Sequence, residues 1–309
     1  MKKKIFTFCL LLFGVTTFHA QEVFQDNNGK FGVKDSVGNI IVSPKYDWIE
    51  DFYEGFATVN IGGTQKPEEY FKGGKWGFID KTGREITPIK YDIASSFING
   101  FAKVGQVGKY SFINKKGKEI TNLIYDDTFY FFEDLASVKK DDTYSFIDTL
   151  GRTVLRLNKG ASANLFSDGL CLVFSEFENN FFIDKTGKKV ITFEEYYEDI
   201  SSFYEGKAVV GSNEKWGYID KTGKVAIPLI YDAAESFSEG LAAVNIGGEY
   251  QSVMEFVGGQ WGFIDLTGKL VIPFKYDNAE KFENGLAKVE LNGREFFIDK
   301  NGNEVSEDE

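Results

Sequence analysis

Histidine, cysteine and methionine are scarce in this sequence of 309 residues, which contains one His, two Cys and two Met. His19 and Cys9 both lie in the first 20 residues, a stretch with the features of a removable leader. The chain without that stretch has no histidine and a single thiol, Cys171. Catalytic Ser-His or Cys-His pairs, His-ligated zinc and an internal disulfide are therefore excluded for it.

Long apolar runs are also missing beyond the N terminus. The chain opens with three lysines after Met1, continues with an apolar run from Ile5 to Val15, and then reaches Ala20-Gln21. A basic start, a short apolar run and a small residue before the cleavage point predict a secretory signal peptide over residues 1–20. No run is long enough to span a bilayer. We therefore expect an exported protein that is periplasmic, on the cell surface or extracellular.

Positive charge is in deficit. The formal net charge is −12, and removal of residues 1–20 leaves 32 basic against 47 acidic residues, a net charge of −15. Binding to nucleic acid or to anionic membranes depends on Lys and Arg. The charge balance argues against both kinds of partner.

What the sequence has in abundance is one motif of about ten residues. Residues 74–83 have the sequence Gly-Lys-Trp-Gly-Phe-Ile-Asp-Lys-Thr-Gly, with near-copies at residues 214–223 and 259–268 and looser copies elsewhere. A period of this kind predicts a repeat architecture. An acidic residue, or in one copy an amide, closes each motif at steps of 34 to 45 residues: Asp35, Asp80, Asn114, Asp148, Asp184, Asp220, Asp265 and Asp299.

Each repeat has three apolar segments, which predict three or four short antiparallel strands. The Trp-Gly segment ends in Asp-x-x-Gly, typical of a tight hairpin in which Asp accepts from the backbone and Gly takes a positive φ. The second segment alternates β-branched and polar residues around a proline slot, which indicates an edge, a bulge or a strand end. The third begins with a Phe, expected to be a buried anchor, before Gly and Ala-x-Val. Four prolines share the proline slot: Pro44, Pro88, Pro228 and Pro273.

Two repeats carry an insertion between the third segment and the next Trp-Gly segment. Residues 60–74 and 245–259 are offset by 185 residues throughout and flanked by double glycines. They predict two long hairpins of common origin. Because insertions in repeat proteins often lie on the binding face, their aromatic and apolar residues are the candidate binding residues: Tyr70, Phe71, Tyr250, Met254 and Phe256.

These motifs together resemble the WG (or KWG) repeat of secreted and surface bacterial proteins. The resemblance extends from about Gly29 to the C terminus and is carried by Lys-Trp-Gly-Phe-Ile-Asp at residues 75–80, Pro-Ile-Lys-Tyr-Asp at 88–92 and Phe-x-x-Gly-Phe-Ala-x-Val at 97–104. It implies a β-rich repeat protein, often secreted, without an established activity. It supplies no catalytic residues.

Three other features have chemical and structural interpretations. The aspartates that close the Trp-Gly motifs or follow a tyrosine could serve glycoside hydrolysis, but their recurrence in nearly every repeat favours turn capping. Residues 26–29 and 299–303 only partly match a calcium loop, and hairpin turns are favoured. Trp76, Trp216 and Trp261 are expected to be buried between units, with sugar binding as the alternative, and Cys171 to be an inert buried thiol.

The prediction is an all-β array of about eight small antiparallel units, a propeller-like ring or arc, with an open superhelical solenoid as the alternative. The repeat domain covers residues 21–305, with a signal peptide at 1–20 and an acidic tail at 306–309. One unit is expected to be shared between an N-terminal strand and a C-terminal hairpin. The units lie near residues 29–60, 74–104, 108–138, 142–173, 178–210, 214–244, 259–289 and 293–305.

The predicted function is a non-enzymatic binding scaffold, a monomer that needs no cofactor or metal. Its partner would be a protein or polysaccharide of the envelope or extracellular space. A carboxylate-based polysaccharide hydrolase and a purely structural envelope component are the alternatives.

Overall fold

Short strands separated by glycine turns make up the chain, as the alternation of β-branched, aromatic and polar residues predicts. The computed structural model describes residues 21–64, 72–194, 196–252 and 255–305. The predicted signal peptide and acidic tail lie outside these ranges. Across the described ranges, no helix has the length and hydropathy needed to cross a membrane.

The strands of the described residues form eight small antiparallel sheets in chain order. Sheet one contains β1 (Glu22–Gln25), β2 (Phe31–Lys34) and β3 (Ile40–Tyr46), and sheet two contains β4 (Trp48–Ile49), β5 (Phe56–Thr64) and β6 (Lys72–Asp80). Sheet three contains β7 (Ile93–Ala94), β8 (Phe101–Gln106) and β9 (Lys109–Asn114). Sheet four contains β10 (Asp127–Phe132), β11 (Leu135–Lys140), β12 (Thr143–Asp148) and β13 (Thr153–Arg156).

The remaining sheets have four strands each. Sheet five contains β14 (Ala161–Ala163), β15 (Leu170–Ser175), β16 (Phe181–Asp184) and β17 (Lys189–Thr192). Sheet six contains β18 (Asp199–Ile200), β19 (Lys207–Ser212), β20 (Lys215–Asp220) and β21 (Val225–Tyr231). Sheet seven contains β22 (Ala233–Ala234), β23 (Leu241–Ser252), β24 (Glu255–Asp265) and β25 (Leu270–Tyr276). Sheet eight contains β26 (Asn278–Ala279), β27 (Ala287–Leu291), β28 (Arg294–Ile298) and β29 (Glu304–Val305).

Each sheet is an antiparallel meander of the kind that forms a propeller blade, and the prediction of an all-β array of about eight such units is confirmed. The chain divides into two compact units. One comprises the residues up to Phe97 together with Lys115–Lys118, and the other comprises Ile98–Asn114 and the chain from Glu119 onward.

The sheets are out of phase with the sequence motif, because the third-segment strand of one motif pairs with the Trp-Gly strand of the next. In sheet six, β19 pairs with β20 from Lys207↔Asp220 to Ser212↔Lys215. At the N terminus, β1 pairs in the same way with the strand that follows it, β2, from Glu22↔Lys34 onward. The expectation that an N-terminal strand and a C-terminal hairpin share one unit is therefore wrong, since β1 belongs to the first sheet and β29 to the last.

The proline slot lies on an edge strand and also at a bulge. Pro228 lies in β21, the last strand of sheet six, where the register shifts between Trp216 and Tyr218. A proline lacks the N–H that a ladder needs, so an unpaired edge position accommodates it. Gly217 lies opposite, where an added Cβ would come within 2.6 Å of the Pro228 carbonyl oxygen. Close approach of the two backbones therefore requires glycine in the Trp-Gly motif.

The Asp-x-x-Gly motif forms the predicted hairpin turn. Asp220 Oδ1 accepts from the Thr222 N–H at 2.8 Å, the Thr222 hydroxyl at 2.5 Å and the Lys224 N–H at 3.3 Å. The hydroxyl bond is the largest cause that holds the pKa of Asp220 below its ordinary value. The favoured hairpin turns at residues 26–29 and 299–303 are confirmed, since Asp26 and Asp299 accept backbone bonds in the same way.

Neighbouring repeats are joined by a recurring pair of aromatic rings. The ring in the Trp-Gly strand packs against the third-segment Phe of the following repeat, with centroids 4.8 to 5.3 Å apart. The third-segment rings of these pairs are at most 2% exposed, which confirms the predicted anchor for them, whereas Phe52 of the first repeat is half-buried. The pairs among the described residues are Phe78–Phe97, Phe112–Phe131, Phe146–Phe166, Phe182–Phe203, Tyr218–Phe237 and Phe263–Phe282.

The tryptophans are less buried than the sequence predicts. Trp261 is 7% exposed, but Trp76 and Trp216 are only half-buried. The residue two positions later, Phe78 or Tyr218, takes the fully buried place because side chains separated by two residues share one face of a strand. The prediction that all three tryptophans are buried between units is thus wrong for two of them.

Removal of one third-segment ring should destabilise the array. Phe203 has no exposed surface and lies 4.8 Å from the Phe182 ring centre. Phe203→Ala should lower the free energy of unfolding by about 3–5 kcal/mol, measured by denaturant titration, because it leaves a cavity. Phe177, which is 80% exposed, supplies the control Phe177→Ala. Equal effects of the two substitutions would contradict the anchor role.

Removal of a turn carboxylate should cost less, and its effect should depend on pH. Asp220→Ala should lower stability by about 0.5–2 kcal/mol at neutral pH, by analogy with the loss of other Asx caps. Because the folded-state pKa of Asp220 is lowered, its carboxylate stabilises the fold above the unfolded-state pKa, and this contribution is lost as the pH falls through the folded value. The melting temperatures of the native protein and of Asp220→Ala should therefore become equal in strong acid. A difference in stability that stays constant with pH would contradict this account.

Candidate functional site

The two insertions form the predicted long hairpins, and a buried asparagine shapes each one. Asn245 has no exposed surface; its amide donates to the Gly258 carbonyl at 3.3 Å, and its Oδ1 accepts from the Gly248 N–H at 3.1 Å. Asn60 makes the equivalent bonds to Gly73 and Gly63. The structural role of these asparagines was not predicted from the sequence, although both immediately precede Ile-Gly-Gly.

The hairpin of sheet seven places aromatic rings against the preceding sheet. Tyr250 lies 5.2 Å from Trp216 of β20 and 4.8 Å from Phe256, and Phe256 lies 5.8 Å from Trp261 (centroid distances). We call these four residues the hairpin aromatic cluster. Tyr250 remains 50% exposed, and Trp216 and Phe256 are half-buried. The cluster therefore presents partly accessible aromatic surface where two repeats meet.

The predicted binding residues are only partly within this cluster. Tyr250 and Phe256 pair across the hairpin and are in direct contact. Tyr70, Phe71 and Met254 lie outside the described residues. Trp216 and Trp261 join the cluster although they belong to the repeated motif.

A cavity of about 280 Å³ lies between sheets six and seven. Its apolar wall is formed by Ile200, Val209 and Ala234. Its polar lining consists of Asp199, Ser201, Glu235 and Ser236. The volume is near the lower end of the range for small-molecule sites. This cavity could not be predicted from the sequence, because its lining comes from two different repeats.

Glu235 is the electrostatically unusual group of the cavity. Its side chain is exposed, but partial desolvation of the carboxyl group by the surrounding protein raises its pKa, and the positive charge of Lys281 acts in the opposite direction. The Ser201 hydroxyl nearby is occupied, since it donates to the Ser202 carbonyl at 2.9 Å and accepts from the Val209 N–H at 2.9 Å.

The cavity and the hairpin aromatic cluster are electrostatically linked. Partial burial raises the pKa of the Tyr250 phenol, and the negative charges of Glu235 and Asp199 act in the same direction. Tyr250 therefore lies within electrostatic range of both cavity carboxylates. We treat the cavity and the cluster as one candidate site.

The recurring carboxylates outside this site have structural partners. Four of the five aspartates that follow a tyrosine pair with the lysine of the preceding Lys-Trp-Gly motif or its counterpart, as in Lys30–Asp47 at 2.6 Å and Lys215–Asp232 at 2.5 Å. The second oxygen of Asp232 accepts from the Gly247 N–H at 2.7 Å. These bonds support the structural interpretation of the series.

A reactive thiol and a metal centre are two further kinds of chemical site. Cys171 is fully buried, its thiol donates to the Asn164 carbonyl, and burial raises its pKa to about 12. The expectation of a buried thiol is confirmed, and a thiol with this pKa is protonated and unreactive at neutral pH. Among the described residues, no group of three or more His, Cys, Asp or Glu side chains is arranged to hold a metal ion.

Several solved structures are similar to this chain in fold. A eukaryotic initiation factor matches with a TM-score of 0.53 at 10% identity, over 95% of this chain and 89% of that one. The computationally designed Ika8 protein matches with a TM-score of 0.45 at 12% identity, over 94% and 93% of the two chains. BamB from Moraxella catarrhalis matches with a TM-score of 0.41 at 11% identity, over 92% of each chain. At these identities, the first likeness shows a shared fold and nothing about function.

No curated protein matches the sequence significantly. The WG containing repeat, in contrast, matches six stretches that together cover more than half of the chain: residues 31–64, 76–110, 110–144, 181–216, 216–250 and 261–294. These stretches contain the Trp-Gly motifs, the proline slots and most of the third segments described above. The chain therefore belongs to the WG repeat family.

Proposed function

We propose that this β-repeat scaffold is an exported, non-enzymatic binding protein, and that the hairpin of sheet seven lies on its recognition face. The observation that carries the proposal is Tyr250, a half-exposed ring held on Trp216 beside an acidic cavity. Rigid aromatic side chains supply contact area at low entropic cost. A scaffold with net charge −12 disfavours anionic partners.

The engagement of the recurring carboxylates supports a binding function over catalysis. Asp80, Asp220 and Asp265 accept backbone and threonine hydrogen bonds in their turns, and their pKa values are lowered. A general acid at neutral pH needs a raised pKa instead. These aspartates are therefore suited to holding turns.

One observation favours the second candidate, a carboxylate-based polysaccharide hydrolase. Glu235 has a raised pKa and lines the cavity together with Asp199. In a hydrolase of this kind, Glu235 would act as the general acid and Asp199 as the base. This candidate predicts turnover, whereas the binding scaffold predicts retention of an intact ligand.

Shortening the hairpins should abolish binding and preserve the fold. We expect replacement of residues 60–74 and 245–259 by the short junction found at residues 289–293 to remove affinity for a glycan or an extracellular protein that the native chain binds in array screening. The milder variant Tyr250→Ala should weaken binding, because it removes the exposed ring. Circular dichroism checks the fold of each variant.

Shortening only the hairpin at residues 60–74 is the matched control, because it removes the same length from the duplicated position. Retained affinity after loss of the hairpin at 245–259 would contradict the recognition role and favour a purely structural component.

A turnover assay separates the two candidates. Under the binding proposal, incubation with labelled polysaccharides should release no new reducing ends, and Glu235→Gln should change nothing in that assay. Release of reducing ends that depends on Glu235 would replace the binding proposal with the hydrolase.

A further inference from the structure

The duplicated repeats contain the same glutamate at one position. Glu50 and Glu235 are separated by the 185-residue offset that also relates the two hairpins, and both precede the third-segment Phe by two residues. The backbone N–H of each donates across the sheet, from Glu50 to the Thr58 carbonyl at 3.0 Å and from Glu235 to the Ala243 carbonyl at 2.9 Å. The two glutamates thus occupy equivalent places in their sheets.

Their carboxylates differ in what surrounds them. Glu50 Oε2 accepts from the Thr58 hydroxyl at 2.5 Å and from the Ser96 hydroxyl at 3.4 Å. The residue equivalent to Thr58 is Ala243, which offers no donor. The Glu235 carboxylate makes no hydrogen bond or ion pair with any described residue. It lines the 280 Å³ cavity instead.

We propose that this cavity binds a protonated aliphatic amine, with the Glu235 and Asp199 carboxylates accepting from the ammonium group and the Ile200, Val209 and Ala234 side chains contacting its methylene chain. The inference deepens the proposed binding function, because it assigns a ligand class to the same site. The amine could be a lysine side chain of a protein partner or a free small molecule.

The chemistry of the lining favours an ammonium group. Such a group has three donors and no acceptor, and the cavity offers two carboxylates. Its positive charge would offset the partial desolvation of the Glu235 carboxylate by the surrounding protein. The nearby cation, Lys281, is already paired with Glu283 at 2.7 Å. A neutral or anionic ligand would leave the Glu235 carboxylate without compensation.

The pH dependence of binding follows from the same groups. The charges that act at the site are Glu235, Asp199, the Tyr250 phenol and Lys281. An ammonium ligand binds the ionised form of Glu235, and this group has a raised pKa. Affinity should therefore fall as the pH drops through the folded-state pKa of Glu235, while the amine itself stays protonated throughout.

Isothermal titration of the full-length chain tests the proposal. The probes are N-acetyl-lysine amide and its uncharged isostere N-acetyl-norleucine amide, followed by n-pentylamine and a lysine-containing peptide. The lysine derivative should bind at least about tenfold more tightly than the norleucine derivative, the range expected for hydrogen bonds to charged groups. Preference for the peptide over n-pentylamine would indicate a protein source for the amine, and the reverse a small molecule.

Three variants make the test specific. Glu235→Gln should lower affinity at least about tenfold and remove the part of the pH dependence that comes from Glu235. Ala243→Ser should also weaken binding, because it restores near Glu235 the hydroxyl that Thr58 gives to Glu50. Glu280→Gln should leave affinity unchanged, because it removes one charge at the same position of the next repeat, outside the cavity lining.

Equal affinity for the lysine and norleucine derivatives, no binding of any amine, or unchanged affinity in folded Glu235→Gln would overturn the proposal. None of these results bears on the loss of glycan or protein binding when the hairpin is shortened, so failure of the amine site is distinguishable from failure of the proposed function.

Discussion

Edge-to-face contact between two rings in consecutive repeats is the interaction on which the array depends. A meander of three or four short strands buries too little apolar surface to be stable alone. The ring of each Trp-Gly strand, such as Phe182, gains burial by receiving the third-segment ring of the next repeat, Phe203. Such a pair adds about 0.5–1.5 kcal/mol beyond the area it buries. The only thiol of the described residues, Cys171, is free, so these contacts have no covalent support.

Glycine in the hairpin turns also allows neighbouring repeats to pack closely. From Gly83 onward, the glycine of each Asp-x-x-Gly turn lies against the second segment of the preceding repeat. An added Cβ on Gly223 would come within 2.7 Å of the Ile191 side chain, and one on Gly117 within 1.9 Å of the Ile86 carbonyl oxygen. Both glycines also have positive φ values, 82° and 74°. A larger residue would push the neighbouring repeats apart and would be strained in the turn itself.

Charges at the periphery orient the repeats and contribute little energy. Turn carboxylates accept from the following repeat, as when Glu239 accepts from the Gly285 N–H at 2.9 Å and pairs with Lys300 at 3.0 Å. Asp168 makes the same kind of bond to Gly206 and lies near Lys221. These side chains are partly exposed, and exposed ion pairs contribute at most about 1 kcal/mol each. Their regular spacing helps to set the register between repeats.

Local features were predictable from the sequence because each depends on a few adjacent residues. The hairpin turn at Asp220, the edge position of Pro228 and the long hairpin from Asn245 follow from turn chemistry, from the missing proline N–H and from the glycine pairs. The grouping of strands into sheets did not follow, because a repeated motif does not show where one sheet ends and the next begins, and the expected split unit was therefore wrong. The burial of Trp216 was overestimated because Tyr218, two residues later, takes the inner place.

The candidate site was harder to predict because it arises where the two duplicated repeats differ. The 185-residue offset relates Asp47 to Asp232, Glu50 to Glu235 and Asn60 to Asn245, and the structural bonds of the aspartates and asparagines are preserved in both copies. The pair formed by Thr58 and Ala243 departs from this identity. Ser96, which also donates to Glu50, is replaced by Lys281 at the same offset, so the loss of two hydroxyl donors leaves the shared geometry intact while it frees the Glu235 carboxylate to face the cavity. In a repeat protein, the residues that agree between copies maintain the fold, so differences around one side chain are where a binding function can be gained at small structural cost.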